Sequence, residues 1–491
     1  MTRQRFEKLG AQGLNTDTLP SVLDPGSWTE LYNVACQDDS IRNVYGESPQ
    51  IAIPIRPVYH MPFRRVTDEW LLVISDGVSV VTVDILSEQI QNITPLEGVW
   101  GGEFVSFANL NGVLVVNSAS DGPYYLAQSG RLERLPGWGW DQGWRCWALV
   151  AFKYYLVALL MSENNVEFQH KLRWSNSAEE GALPTEWVPS TTNDAGDDLL
   201  GETLGRLIGG VVVRDQLLVV KEDAVYSMTH VGGQFIMRVD RLHGGGGTPI
   251  PRAFAEMQGG LVACTARDVT MFNGTQLASL ADRRVHKAFQ SLIANDYWYS
   301  TQVFRHNPST TLWIAGASKS HTRLDNALVF DWSANVWWHK ALKNSYGFDA
   351  IELFHSDRPL SEIVIYESDE GDVSYWVSVL DDSETDSEGN PLVCRAVRIG
   401  LPVEGADGVV MVNQAWLDID STIPVTVTFG GQNDPEGAVT WGTPEVWTPG
   451  VSHTLTPRVS GRYLAVKVES QDAGRWRIGA ITVNWERAGE R

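Results

Sequence analysis

One phrase recurs along this chain of 491 residues: a polar turn, four or five apolar residues, a second polar turn, then an alternating strand carrying an aromatic. Copies include Trp70-Leu-Leu-Val-Ile-Ser-Asp-Gly, Asn111-Gly-Val-Leu-Val-Val-Asn, Asp215-Gln-Leu-Leu-Val-Val-Lys, Thr311-Leu-Trp-Ile-Ala-Gly and Ser361-Glu-Ile-Val-Ile-Tyr-Glu. Aligned on Leu71, Val113, Tyr155, Leu217, Leu261, Leu312 and Ile363, successive copies are 42, 42, 62, 44, 51 and 51 residues apart. A period of about 40–50 residues with two or more short strands per unit fits propeller blades better than solenoid coils. The continuous apolar runs read as inner strands packed on both faces. The alternating segments after them read as half-exposed strands. The 62-residue step, spanning Arg173-Trp-Ser-Asn-Ser to Asp197-Asp-Leu-Leu, reads as a long loop. The expectation is a β-propeller of six or seven blades over residues 50–377. Strands from the N-terminal region would complete the blade around Ile363 and so hide an open edge.

Near Asp381 the texture changes. Residues 381–390 hold five acids and no apolar residue, which reads as a solvated linker or loop over 378–390. Beyond it, Val409-Val-Met-Val, Ala415-Trp-Leu-Asp-Ile-Asp, Val425-Thr-Val-Thr-Phe, Tyr463-Leu-Ala-Val-Lys-Val and Ile478-Gly-Ala-Ile-Thr-Val-Asn-Trp recur between turn signals. Residues 391–491 therefore read as a β-sandwich. Residues 1–49 read as an extended segment joining the propeller or neighbouring subunits. Long amphipathic helices are nearly absent from the pattern, and the fold class is all-β.

The chain carries 38 Lys+Arg against 60 Asp+Glu, a formal charge of −22. That balance excludes a broad electrostatic grip on nucleic acid, which needs clustered cations to release counterions. It permits an acidic surface past which DNA slides without adhering. Cys36, Cys146, Cys264 and Cys394 stand more than a hundred residues apart with no zinc-ligand spacing, so they read as reduced, buried thiols. The polar start lacks the apolar core of a signal peptide. The longest apolar stretch, Trp147 to Met161, is interrupted by Lys153 and falls short of the roughly 20 residues a spanning helix needs, so no membrane anchor is expected.

Little in the chain announces chemistry. His243-Gly-Gly-Gly-Gly-Thr248 lacks the Gly-Lys-Ser/Thr of a phosphate loop and reads as a blade-to-blade connection. Asp381–Asn390 lacks the spacing of a calcium loop. Ser368-Asp-Glu-Gly-Asp-Val-Ser-Tyr-Trp376 resembles the Asp-box of sialidase propellers, a structural hairpin in those proteins. No Gly-x-Ser-x-Gly elbow occurs. The histidines, including His60, His170, His286 and His321, are scattered. The many tryptophans, among them Trp138, Trp140, Trp144, Trp147, Trp174, Trp187, Trp332, Trp337, Trp338 and Trp376, read as wedges between blades rather than sugar platforms. The pattern names no catalytic residue, cofactor or metal, and the chain reads as a non-enzyme.

Three passages carry a resemblance. Gly13-Leu-Asn-Thr-Asp and Asp24-Pro-Gly-Ser-Trp-Thr-Glu-Leu-Tyr-Asn-Val, followed by Asp38-Asp-Ser-Ile-Arg-Asn-Val-Tyr-Gly, form the first. Leu172-Arg-Trp-Ser-Asn-Ser with Pro184-Thr-Glu-Trp forms the second. Gly461-Arg-Tyr-Leu-Ala-Val-Lys-Val and Arg475-Trp-Arg-Ile-Gly-Ala-Ile-Thr-Val-Asn-Trp form the third. In this order they resemble the tail nozzle proteins of short-tailed bacteriophages, also called tail tube or packaged-DNA stabilisation proteins. The resemblance implies a structural virion protein repeated as a homo-oligomeric, hexameric ring below the head-to-tail adaptor. It implies contact with tail fibre or needle proteins, and genomic DNA passing through the lumen without sequence-specific binding. It places the protein in the virion tail, assembled in the host bacterial cytoplasm.

For such a conduit the candidate channel-facing acids are Asp194, Asp197 and Asp198 in the long insertion, and Asp381, Asp382, Glu384, Asp386 and Glu388 before the sandwich. Each cluster lacks a cationic neighbour in sequence. The competing reading is a carbohydrate-binding or glycan-hydrolysing propeller.

Overall fold

The computed structural model describes residues 2–489 except 97–99, 102–103, 234, 245–246, 294–295, 307–309, 320, 352–360, 369–373, 404–407 and 436. Strands dominate it. Five separate antiparallel sheets of four strands follow one another in sequence order. Blade 1 runs Tyr59–Arg64, Trp70–Ser75, Val80–Asp84 and Gln89–Asn92. Blade 2 runs Val105–Leu110, Val113–Ser118, Gly122–Leu126 and Leu132–Arg134. Blade 3 comprises Arg145–Phe152, Tyr155–Glu163, Val166–Trp174 and Gly196–Leu199, and blade 4 Leu207–Val213, Gln216–Lys221, Ala224–His230 and Met237–Gly244. Blade 5 comprises Pro249–Met257, Gly260–Thr265, Val269–Phe272 and Leu277–Ser279.

Blades 6 and 7 share one strand. Val336–Ile351 closes blade 6 (Gln302–His306, Thr311–Gly316, Leu324–Asp331) with its first half. With its second half it opens blade 7, pairing with Ser361–Ser368, which pairs with Ser374–Ser383. The outermost strand of blade 7 is Gly46–Ile53, arriving from the N-terminal region with Ile51 opposite Val377. The propeller therefore has seven blades and is closed by a strand from the other end of the chain, which removes a free edge.

The seven aligned apolar residues all fall on the second strand of a blade, not on the innermost one. A second strand is paired on both sides and covered on both faces, so an unbroken apolar run suits it. In blade 3 Leu156, Val157, Ala158 and Leu159 are each fully buried, and each such leucine stabilises the fold by about 1.5–3 kcal/mol. The innermost strands face the axis and are mixed, as in Tyr59-His-Met-Pro-Phe-Arg.

The second unit is a β-sandwich. One sheet orders Val459–Gly461, Val409–Ser421, Trp476–Gly489, Ser40–Asn43 and Val34–Gln37, with Thr2–Phe6 also on Trp476–Gly489. The facing sheet contains Glu30–Tyr32, Cys394–Pro402, Tyr463–Ser470 and Val425–Gln432. Val412, Ala415, Val427, Phe429, Val466, Ile481 and Val483 fill the space between them. The opening segment thus divides: residues 2–43 build the sandwich, and 46–53 enter the propeller. A bridge from Tyr32 to His339 joins the facing sheet to blade 6.

A single α-helix among the described residues, His286–Ile293, lies between blades 5 and 6. Asp17 caps it from the distant N-terminal segment, its carboxylate accepting from the backbone N–H of His286 and of Lys287 at 2.9 Å each. All four cysteines are buried free thiols. The glycine run 243–248 joins blade 4 to blade 5, although Gly245 and Gly246 lie outside the described residues. The Asp-box-like turn over 369–373 also lies outside them.

Candidate functional site

Where the innermost strands begin, residues of blades 1, 2, 5, 6 and 7 enclose a cavity of about 440 Å³ on the propeller axis. Tyr59 opens blade 1, Phe104 precedes blade 2, Arg252 stands on the inner strand of blade 5, Gln302 opens blade 6, and Tyr346 lies on the shared strand. Ring contacts carry the site across the axis. The Arg252 guanidinium lies 5.3 Å from the Tyr59 ring centre, and Tyr59 meets Phe104 edge-on at 5.8 Å. Phe104 stacks on Trp147 of blade 3 at 4.4 Å, and Arg206, just before blade 4, sits 5.3 Å from Trp147.

Polar groups converge on the same space. Arg56 Nε donates to the Tyr346 hydroxyl at 2.9 Å, and that hydroxyl donates to Glu367 at 2.7 Å. Burial, with Glu367 accepting its proton, pushes the Tyr346 phenol up to about 12. Arg323 reaches Glu367 at 3.3 Å. Arg252 Nη1 donates to the Val58 carbonyl at 3.1 Å. Burial pulls the Arg252 guanidinium below its usual pKa, against the pull of Tyr59 and Asp349.

Beside the cavity His60, only 4% exposed, gives its Nδ1–H to Asp349, 289 residues away. The scattered histidine of the sequence is thus a paired, oriented one. Among the described residues its Nε2 has no hydrogen-bond partner. Among the described residues no group of three or more His, Cys, Asp and Glu is placed to hold a metal ion.

The acidic candidates lie elsewhere, and the fold supplies the cations that the local sequence lacks. Asp197 pairs with Arg173 at 2.8 Å and Lys171 at 3.2 Å, a set that Glu163 completes. Asp194 accepts from the Tyr155 hydroxyl at 2.9 Å and the Ser177 N–H at 3.0 Å. Burial opposes its charge, yet the Ser177 and Tyr155 hydrogen bonds hold its carboxyl below the usual range. Asp198 is exposed on the outer strand of blade 3.

Asp381 is no part of a solvated linker: it lies within the strand Ser374–Ser383 and meets buried Lys340 at 3.1 Å and His306 at 3.4 Å. Burial raises its carboxyl, but Lys340 and His306 outweigh that and hold it low. Lys343 pairs with Glu388 and, at 3.6 Å, with Asp386, while Glu384 pairs with Arg475 at 3.1 Å. Asp382 is exposed. Among the described residues at least five of the eight acids are thus ion-paired: Asp197, Asp381, Glu384, Asp386 and Glu388.

The tryptophans mostly pack: Trp138 meets Trp187 edge-on at 4.8 Å, and Trp28, Trp187 and Trp337 are fully buried.

No protein-family model and no curated protein matches the chain. Solved structures do match it. A streptogramin B lyase structure is 8% identical with a TM-score of 0.42, over 68% of this chain and 98% of that one. The structure of YCF48 bound to D1 peptide is 10% identical with a TM-score of 0.39, over 69% of this chain and 97% of that one. Lyase activity and peptide binding are properties of those proteins, and the propeller here is read from the chain's own sheets.

Proposed function

We propose that this protein is the ring-forming nozzle of a short phage tail, set below the head-to-tail adaptor, retaining the packaged genome and conducting it on ejection. The observation that supports the reading is how the resembling passages meet. Opening and closing passages, more than four hundred residues apart, clasp in one sandwich: Asn43 donates to the Gly474 carbonyl at 2.7 Å and accepts from the Trp476 N–H at 2.9 Å. Arg477 reaches the Ser40 hydroxyl at 2.7 Å across the same seam. In the middle passage the Asn176 side chain accepts from the backbones of Thr185 and Glu186 at 3.0 and 2.8 Å, seating Trp187 under blade 3. These residues build a frame, as a structural virion protein requires.

A DNA channel in this reading comes from several copies closed by rotation, six by the resemblance, with the propeller in the wall. The wall's repulsion of DNA would come from the chain's overall charge of −22 rather than from the paired acids. Native mass spectrometry and negative-stain microscopy of the full chain with its adaptor should show a closed ring of identical subunits. A chain that stays monomeric on the adaptor, or that binds duplex DNA tightly and salt-sensitively by itself, defeats the proposal.

A further inference from the structure

The axial cavity stands out against the charge of the chain. In a protein with 60 acids and 38 Lys+Arg, three arginines line it and none of its described lining residues is Asp or Glu. Among the described residues, two of those arginines form no ion pair. Arg56 uses one of its five N–H donors on the Tyr346 hydroxyl, and Arg252 uses one on the Val58 carbonyl. Three guanidinium groups gathered in a half-dry space, against Glu367 and Asp349 just behind its wall, leave an excess of positive charge whose fork geometry matches a bound oxyanion.

The backbone points the same way. Arg252 has φ of +68°, a left-handed conformation rare for a side chain of its size. It sits where the inner strand of blade 5 slips register between Pro249 and Phe254, the kind of bulge that re-aims a side chain. Strain of this sort collects at ligand sites.

A third observation concerns the floor. His60 Nε2 and Gln302 Oε1 come within 2.2 and 2.5 Å of the point where a Cβ on Gly347 would stand, so the missing side chain keeps both groups in place. Gln302 lines the cavity, and its amide N–H₂ is already bonded to the Tyr346 carbonyl at 2.7 Å. With Nδ1 held by Asp349, Nε2 is the ring nitrogen left beside Gln302 Oε1. The Gln302 side-chain carbonyl on the cavity wall calls for a ligand O–H.

We propose that the axial cavity binds a small hydroxylated oxyanion, a hydroxycarboxylate or a sugar phosphate, with Arg56 and Arg252 on its charged group and Gln302, backed by His60, on its hydroxyl. A volume of about 440 Å³ suits a ligand of that size. The proposal does not rest on the ring. A chain that forms rings but binds no anion refutes this site alone, and a monomer that binds one refutes the nozzle alone.

Calorimetric titration of the full chain with citrate, glucose 6-phosphate and glucose tests it. At least one of the two anions should bind at one site per chain with Kd below about 1 mM, and glucose should not. Arg56→Gln and Arg252→Gly should each weaken binding about tenfold or more, as loss of a charge-assisted hydrogen bond does. Glycine takes a φ of +68° without strain, so Arg252→Gly should keep Tm within about 3 °C of the parent. Should Arg252→Gly fail to fold, Arg56→Gln decides the matter. Arg238→Gln, on the outer strand of blade 4, should leave affinity unchanged. Glucose binding as tightly as the anions, no binding of either anion by the folded chain, or full affinity in Arg56→Gln would overturn the proposal.

Discussion

His339 shows what one buried side chain contributes. Its ring stacks on Tyr32 at 5.3 Å, on the seam between sandwich and propeller. Burial lowers its pKa from 6.5 to about 4, and Asp325 opposes that only in part. As pH falls below 6.5 the unfolded chain takes up a proton that the folded one refuses. Stability present above 6.5 is therefore lost between 6.5 and 4, by about 3 kcal/mol for a shift of this size. Thermal melts at steps of pH should show that slope, and His339→Phe, which keeps the stack, should flatten it. An unchanged slope in the variant refutes the assignment. The low-lying carboxyl of Asp381 acts on the same sign but further into acid, where Lys340 and His306 lose their partner. Buried Glu47 runs oppositely: burial raises its pKa, so its ionisation costs stability as pH rises.

The strands tell how far a sequence can be read. The apolar phrase was legible because second strands are buried on both faces wherever they occur, and its spacing marked every blade. Innermost strands left no such mark, since Tyr59-His-Met-Pro-Phe-Arg faces neighbours chosen by the axis. The axial site was illegible for the same reason: Arg56, Arg252, Arg323 and Tyr346 meet only after the ring closes, and a left-handed Arg252 has no signature in composition. The acidic clusters were visible, but their cations, Lys340, Lys343 and Arg475, come from other strands. The helix His286–Ile293 is short enough to escape a periodicity reading, and its cap is Asp17. The closing strand Gly46–Ile53 yields a sharp expectation. Removing residues 1–54 bares the edge of Ser374–Ser383, so the truncated chain should aggregate in light-scattering measurements while the full chain does not. A soluble, folded truncation would show that blade 7 needs no N-terminal strand.

At the level of the molecule, the sandwich shares a buried core with blades 5, 6 and 7. Val262 and Cys264 of blade 5, Leu312 and Ile314 of blade 6, Val364 of blade 7 and Val427, Val466 and Ile481 of the sandwich belong to the same contiguous cluster. Chains with separable units commonly unfold in steps. Here the segment that completes the sandwich, residues 2–43, runs directly into the strand 46–53 that completes the propeller, and the two units bury side chains against each other. Differential scanning calorimetry of the full chain should give a single endotherm. Two resolved peaks would contradict a shared core.

The chain crosses between the two units twice, near Val44 and Tyr45 and again after Ser383. The crossings run side by side, with Gly46 opposite Ser383 and the Glu47 N–H donating to the Thr385 carbonyl at 2.9 Å. The approach is so close that a Cβ on Gly46 would fall 1.6 Å from that same carbonyl oxygen. A body held to its neighbour by one tether swivels, whereas one held by two adjacent, mutually bonded straps has lost its axis of rotation. The Tyr32–His339 bridge adds a third fixing point away from that line. A torque applied to the sandwich is therefore delivered to blades 6 and 7 as a push on backbone hydrogen bonds, with no slack to take up first.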